Sequence, residues 1–196
     1  MKISVGGLQA AATNVDNSIS TGDVMVTANQ YIAELYVGGL IGSERYGHIR
    51  NCASQSNIVV NNALKAIVGG ILGEFNSTYG NIGLMFGIKH TSLTNSYTCG
   101  TITTRHIGSL SYGNVSGAGQ PGSTSGWFGP GMSYIVNNCC YLNQGRIEAK
   151  DAVLETLKGY DNLLLMKGDG MKDILDAGNG AEQWLYDAEN LPKPKD

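Results

Sequence analysis

The sequence predicts an all-β protein: a parallel β-helix or β-solenoid of about four irregular coils, closed by a small, partly helical C-terminal cap. Three observations carry this. The stretch Val5-Gly6-Gly7-Leu8 returns as Val37-Gly38-Gly39-Leu40 and as Val68-Gly69-Gly70-Ile71, at steps of 32 and 31 residues, and a sustained repeat of that length marks a stacked array. A second element travels with the first: Val15-Asp16-Asn17-Ser18, Ile49-Arg50-Asn51-Cys52, Leu93-Thr94-Asn95-Ser96 and Ile135-Val136-Asn137-Asn138 each place an Asn two residues after an aliphatic one. Third, no run inside a repeat keeps the 3.6-residue apolar period of a helix beyond one turn, which excludes the helix-pair repeats of similar length.

Within each copy the strands come from short β-type runs. Val24-Met25-Val26 and Ile58-Val59-Val60 are bounded by Gly, Asn and Ser and read as strands, with Ile102 and Thr103 as the next copy. The Val-Gly-Gly segments set branched residues around glycines, where a side chain would crowd a neighbouring coil; Gly6, Gly7, Gly38, Gly39, Gly69 and Gly70 are therefore read as structural. A unit with two or three strands and no helix cannot bury its own apolar face. Stacked on its copies at a spacing of ~4.8 Å, it forms parallel sheets. In register, Asn17, Asn51, Asn95 and Asn137 would line one corner and pass hydrogen bonds from coil to coil; independent turn formers are the alternative.

Two insertions, Glu74 to Ser92 and Arg105 to Ser125, are expected to loop out on one face, although Leu84 to Ile88 could equally add a strand. A degenerate fourth copy is read at Gly126-Trp127-Phe128-Gly129. After Asn143 the style changes. Residues 148–158 read as a helix stopped by Gly159, and Asp169 to Ala177 as a weaker one stopped by Gly178. The chain thus divides into repeats at 1–147 and a capping segment at 148–196. Leu154, Leu157 and Trp184 are expected to bury against the final coil and shield its edge.

The run Val37-Gly38-Gly39-Leu40-Ile41-Gly42, followed by Ile49-Arg50-Asn51-Cys52-Ala53-Ser54 and Ile58-Val59-Val60, closely resembles the GLUG repeat. Val68-Gly69-Gly70-Ile71-Leu72-Gly73 is nearly as close, whereas the first copy has Gln9-Ala10 in place of the aliphatic-Gly pair. The resemblance covers most of residues 5–142 and, weakly, 148–194. It implies a bacterial secreted or surface-attached protein of adhesive character; the repeat also occurs beside the catalytic domains of IgA-cleaving metallopeptidases. An extracellular or cell-surface location follows from the resemblance alone. No basic-then-apolar leader precedes Val5, and the abrupt start of the repeat points to a longer parent chain.

Composition narrows the function classes. The 28 glycines among 196 residues are about twice the usual ~7%, as recurring tight turns require. Net charge is −3 with only 13 Lys+Arg, and no basic cluster exceeds Lys193-Pro194-Lys195, so no nucleic-acid partner is expected. The longest apolar run, Leu163-Leu164-Leu165-Met166, is far short of the ~20 residues of a membrane span. Cys52, Cys99, Cys139 and Cys140 contain no C-x-x-C pair and are read as small buried residues.

The catalytic inventory is thin. His48, His90 and His106 stand far apart without an H-E-x-x-H pair, so no metal centre is expected. Gly117-Ala118-Gly119-Gln120-Pro121-Gly122 matches G-x-G-x-x-G, but its Gly/Ser/Pro surroundings read as a flexible loop. Solenoid lyases and hydrolases converge two or three carboxylates on one sheet face. Here Asp16, Asp23, Glu34, Glu44 and Glu74 are the only acids among the coils, with Asp23 and Glu44 assigned to solvated turns. The expectation is a non-catalytic adhesin-like module or spacer without catalytic residues or cofactor, monomeric as isolated, whose partner is a host or microbial surface protein or a glycan. The alternative is an accessory carbohydrate-binding module using Tyr79, Phe86, Tyr112 or Trp127 as stacking platforms.

Overall fold

The structure, a computed structural model, describes residues 2–28, 34–76, 90–113, 116–120, 133–143 and 153–195. Val, Ile and Thr runs cut by Gly and Asn form short strands, and each return of the chain lays its strands beside those of the previous pass. The first pass holds β1 (Lys2–Gly6), β2 (Gln9–Asp16), β3 (Ile19–Ser20) and β4 (Val24–Thr27). The second holds β5 (Glu34–Gly38), β6 (Ile41–Arg50), β7 (Ala53–Ser54) and β8 (Ile58–Asn61). The third holds β9 (Lys65–Gly69), β10 (Leu72–Asn76), β11 (His90–Thr94), β12 (Tyr97–Thr98) and β13 (Ile102–Arg105). The fourth holds β14 (Ser109–Gly113), β15 (Ser116–Gln120), β16 (Ser133–Asn137) and β17 (Cys139–Leu142), and β18 (Val153–Leu154) and β19 (Leu157–Tyr160) follow.

All pairings among these strands are parallel. The sheets run β1-β5-β9-β14, β15-β10-β6-β11-β16-β18 with β2 on β6, β19-β17-β12-β7-β3, and β13-β8-β4. β6 is long enough to carry β10 along its first half and β11 along its second. The register follows the repeat: Val5 faces Val37 and Val37 faces Val68; Val15 faces Ile49, then Leu93; Val24 faces Ile58, then Ile102. These rungs are the core. Val37, Val68, Ile49, Leu93 and Val136 are fully buried, each such aliphatic contributing about 1.5–3 kcal/mol relative to exposure.

Several expectations are corrected. Val153–Leu154 and Leu157–Tyr160 are strands, not the end of a helix stopped by Gly159. Val153 lies beside Ile135 and Leu157 beside Cys139, and the open ladder partners on β16 and β17 outweigh local helix propensity. Residues 144–152 lie outside the described set, and sheet pairing runs on to Tyr160. The stretch 105–125 is not one loop. Tyr112-Gly113 pairs with Val68-Gly69 and so supplies the fourth-pass counterpart of the Gly-Gly core, a place expected for Gly126 to Gly129. The G-x-G-x-x-G segment contributes β15, paired with β10, because a ladder fixes backbone that has little preference of its own. The counterpart of Val60 is Thr104, next to the expected Thr103. Glu44 lies inside β6 and is fully buried, not at a solvated turn.

The second C-terminal helix is present in reduced form: a 3-10 turn at Gly168–Met171 and a single helical turn, α1 (Lys172–Leu175), with Gly178 at φ 75° just beyond. β20 (Trp184–Leu185) and β21 (Lys193–Pro194) pair antiparallel. This segment does not sit over the last pass as a lid. It lies along the face of the β19-β17-β12-β7-β3 sheet, where Met166, Met171, Leu175 and Trp184 bury against Ala53, Tyr97, Cys140 and Tyr160.

Candidate functional site

One corner of every pass is built from the same two residues. Asn17, Asn51, Asn95 and Asn138 sit at φ 48°, 53°, 49° and 53°, the left-handed region that Asn tolerates among non-glycine residues. The next residue, Ser18, Cys52, Ser96 or Cys139, turns its hydroxyl or thiol back to the carbonyl two positions earlier, at 2.8, 3.1, 2.7 and 3.3 Å. The fourth corner residue is thus Asn138; Asn137 is the last residue of β16 and faces Thr94. Asn51 Nδ2 donates to Asn17 Oδ1 at 3.2 Å, one step of the expected ladder. Beyond it the amides turn to the C-terminal segment. Asn95 Nδ2 donates to the Leu175 and Ala177 carbonyls, both at 2.8 Å, Asn138 Nδ2 to Ala177 O at 3.0 Å, and Asn179 Nδ2 donates to Asn51 Oδ1 at 3.4 Å. Tyr97 Oη donates to Pro192 O at 2.6 Å and its ring centroid lies 5.4 Å from that of Trp184.

The repeated glycines mark close backbone approaches. A Cβ on Gly38 would collide with the Ile41 carbonyl, and one on Gly39 with the Gly70 carbonyl and Ser54 Oγ; Gly6 and Gly7 meet the equivalent atoms of their own pass and the next. Gly69 and Gly70 follow Val68 in the same register. The thiols belong to the scaffold. Cys52, Cys139 and Cys140 are buried, Cys99 half-buried, and all four are free. Burial pushes Cys52, Cys99 and Cys140 up to about 12, which removes thiolate chemistry at neutral pH.

Two charged constellations come from repeat-equivalent positions. Lys2, Glu34 and Lys65 occupy one rung on β1, β5 and β9. Lys2 Nζ lies 3.2 Å from Glu34 Oε2, Lys65 Nζ reaches Oε1, and Tyr36 Oη donates to Oε2 at 2.8 Å. The Lys65 hydrogen bond holds the Glu34 carboxyl down to about 2 against the opposing effect of burial, and burial raises Tyr36 to about 12. Nearby Glu74 is fully buried, and burial raises its pKa. The second constellation lies on an exposed sheet face. Asp16 accepts from Arg50 Nε at 2.9 Å and lies 3.0 Å from His48 Nε2, while Asn14 Oδ1 accepts from the His48 N–H at 3.1 Å. Ser92 is the strand partner of His48, and no hydrogen bond among the described residues joins the two. The constellation is an exposed cluster of ion pairs and hydrogen bonds.

Among the described residues no three His, Cys, Asp or Glu side chains converge to hold a metal ion, and no helix is long and apolar enough to cross a membrane. Tyr79, Phe86 and Trp127 lie outside the described residues. Tyr112 is placed on β14 with its side chain outside that set. Sequence reasoning missed both charged constellations. Their signal was available in the repeat alignment, where Lys2, Glu34 and Lys65 stand three residues before the Val of each Val-Gly-Gly, and Asp16 and Arg50 directly before the corner Asn. Compared with known proteins, the chain matches no family model, no curated protein and no solved structure.

Proposed function

We propose that this chain is a β-solenoid of GLUG type, acting as a non-catalytic module of a secreted or surface-attached bacterial protein, with an adhesive role toward a host or microbial surface protein or glycan. One observation carries the reading: what repeats from pass to pass is scaffold. The Val-Gly-Gly cores, the aliphatic rungs and the Asn-Ser/Cys corners recur in register, while Lys2, Glu34, Asp16 and Arg50 are engaged in ion pairs along the same ladders. Such an array presents repeated, largely polar strand surfaces, a form suited to recognition rather than turnover.

The test is a screen of the immobilised protein against glycan arrays and extracellular-matrix proteins, run beside assays for hydrolysis of glycosides, polysaccharides and peptides. Saturable retention of one ligand class without turnover is the expected result. Hydrolysis that tracks the purified protein and disappears in His48→Ala or Asp16→Asn would overturn the reading.

A further inference from the structure

Among the described residues, the C-terminal segment meets Asn95 and Asn138 through backbone carbonyls, but it meets Asn51 through a side chain, that of Asn179. The Asn179 amide donates to Asn51 Oδ1 at 3.4 Å, the outer limit of a hydrogen bond, and to Leu175 O at 3.1 Å. Gly180 follows it, and Asn179-Gly180 is the only Asn-Gly pair in the chain. The Asn amide is thermolabile. A glycine after it lacks the Cβ that otherwise shields the next backbone nitrogen from the side-chain carbonyl.

The surroundings leave that approach open. Asn179 is half-buried, Gly180 is exposed, and both lie outside any strand or helix. The flanking glycines are left-handed, Gly178 at φ 75° and Gly180 at φ 69°. A Cβ built on Gly180 would meet nothing within 4 Å. The Gly180 N–H donates no hydrogen bond among the described residues, so the nitrogen that attacks is unengaged. Asn17 makes the comparison: it too is exposed, but Ser18 follows it and brings a side chain to the same approach.

We propose that Asn179-Gly180 is a site of spontaneous covalent modification, at which loss of the Asn179 amide unfastens this end of the C-terminal segment from the Asn51 corner. The Gly180 backbone nitrogen gives up its proton and attacks Asn179 Cγ. The N–Cγ bond forms, the Cγ–Nδ2 bond breaks, and Nδ2 leaves as ammonia with that proton. The cyclic imide then takes up one water and opens at either carbonyl, leaving an aspartyl or isoaspartyl residue. Neither product donates a hydrogen bond. Asn51 Oδ1 and the Leu175 carbonyl are left facing a carboxylate, acceptor against acceptor, and the isoaspartyl form also lengthens the backbone by a carbon. Asn95 and Asn138 still hold the Leu175 and Ala177 carbonyls, so the segment loosens here and stays attached.

The full chain, held folded below its melting temperature at neutral and at alkaline pH, tests this by peptide mapping with isoaspartate detection over time. Conversion is expected first at Asn179, ahead of Asn17, faster at alkaline pH and with isoaspartate in excess. In the converted protein and in Asn179→Asp, the backbone amides of Asp176, Ala177 and Asn179 should exchange at least about twofold faster, with an unchanged far-ultraviolet spectrum. Asn179→Gln keeps an amide that closes to an imide far more slowly, and its exchange should not quicken during the same incubation. If Asn179→Asp does not fold, the time course of the natural chain decides alone. Asn179 intact when Asn17 has converted, converted protein with unchanged exchange, or the same loosening with time in Asn179→Gln would each overturn the proposal.

Discussion

Asn51 shows how one residue is tied to two others. Its backbone is left-handed, its amide donates to Asn17, and its carbonyl oxygen accepts from Asn179. Asn51→Ala strands both partners and puts a Cβ residue without local compensation at positive φ. The expected loss is about 1–3 kcal/mol in urea unfolding. Asn51→Gly keeps the backbone freedom and should cost distinctly less; equal losses would show that the amide contacts alone matter. Glu34 and Glu74 predict opposite pH behaviour. Glu34 has its folded pKa depressed to about 2, so its stabilisation is present above the unfolded value of roughly 4.3 and is lost as pH falls toward 2. Glu74 has its folded pKa raised, so it favours the fold while protonated and weakens it as pH climbs past the unfolded value. Glu74→Gln should therefore raise Tm at neutral pH, and Glu34→Gln should lower it there and flatten the acid limb of a stability profile. A Tm drop at pH 7 for Glu74→Gln would mean that its carboxylate is charged and paired in the fold.

Strands here are held by their neighbours more than by their own propensity, and the glycines between them set how closely the passes approach. Gly38 has no room for a methyl group against the Ile41 carbonyl, whereas Gly22 has nothing within 4 Å. Gly38→Ala should lose about 1–3 kcal/mol by forcing backbone apart, while Gly22→Ala should stay within about 0.5 kcal/mol. Comparable Tm values for the two would show that the Gly-Gly core is not a packing constraint. The same logic explains where the sequence was legible at this scale. β1, β5 and β9, and β4, β8 and β13, were visible because their Val, Ile and Gly recur at one spacing. β15 and β19 were not, because Ser-Gly-Ala-Gly-Gln carries no strand signal and 148–158 has good helix formers. Both became strands when β10 and β17 offered them an open ladder.

Across the whole molecule the C-terminal segment acts as a brace. It spans several passes, bonding to Asn51, Asn95, Tyr97 and Asn138 and burying Trp184 completely. A chain ending at Tyr160 exposes Ala53, Tyr97 and Cys140 on that face. It should bind a hydrophobic dye and aggregate on warming well below the full chain; identical melting and dye response would make the segment a mere appendage. The sequence by itself determined that the chain is all-β, which Val and Ile runs form strands, and three of the four Asn corners, because a period-bearing pattern states its own register. Only the tertiary structure decided that Asn138 takes the fourth corner, that the cap lies along a side, and that Glu34 stands between two lysines beside a buried Glu74. Those outcomes depend on which surfaces meet after the passes have stacked, and contacts between residues as distant as Asn51 and Asn179 leave no local trace in the chain.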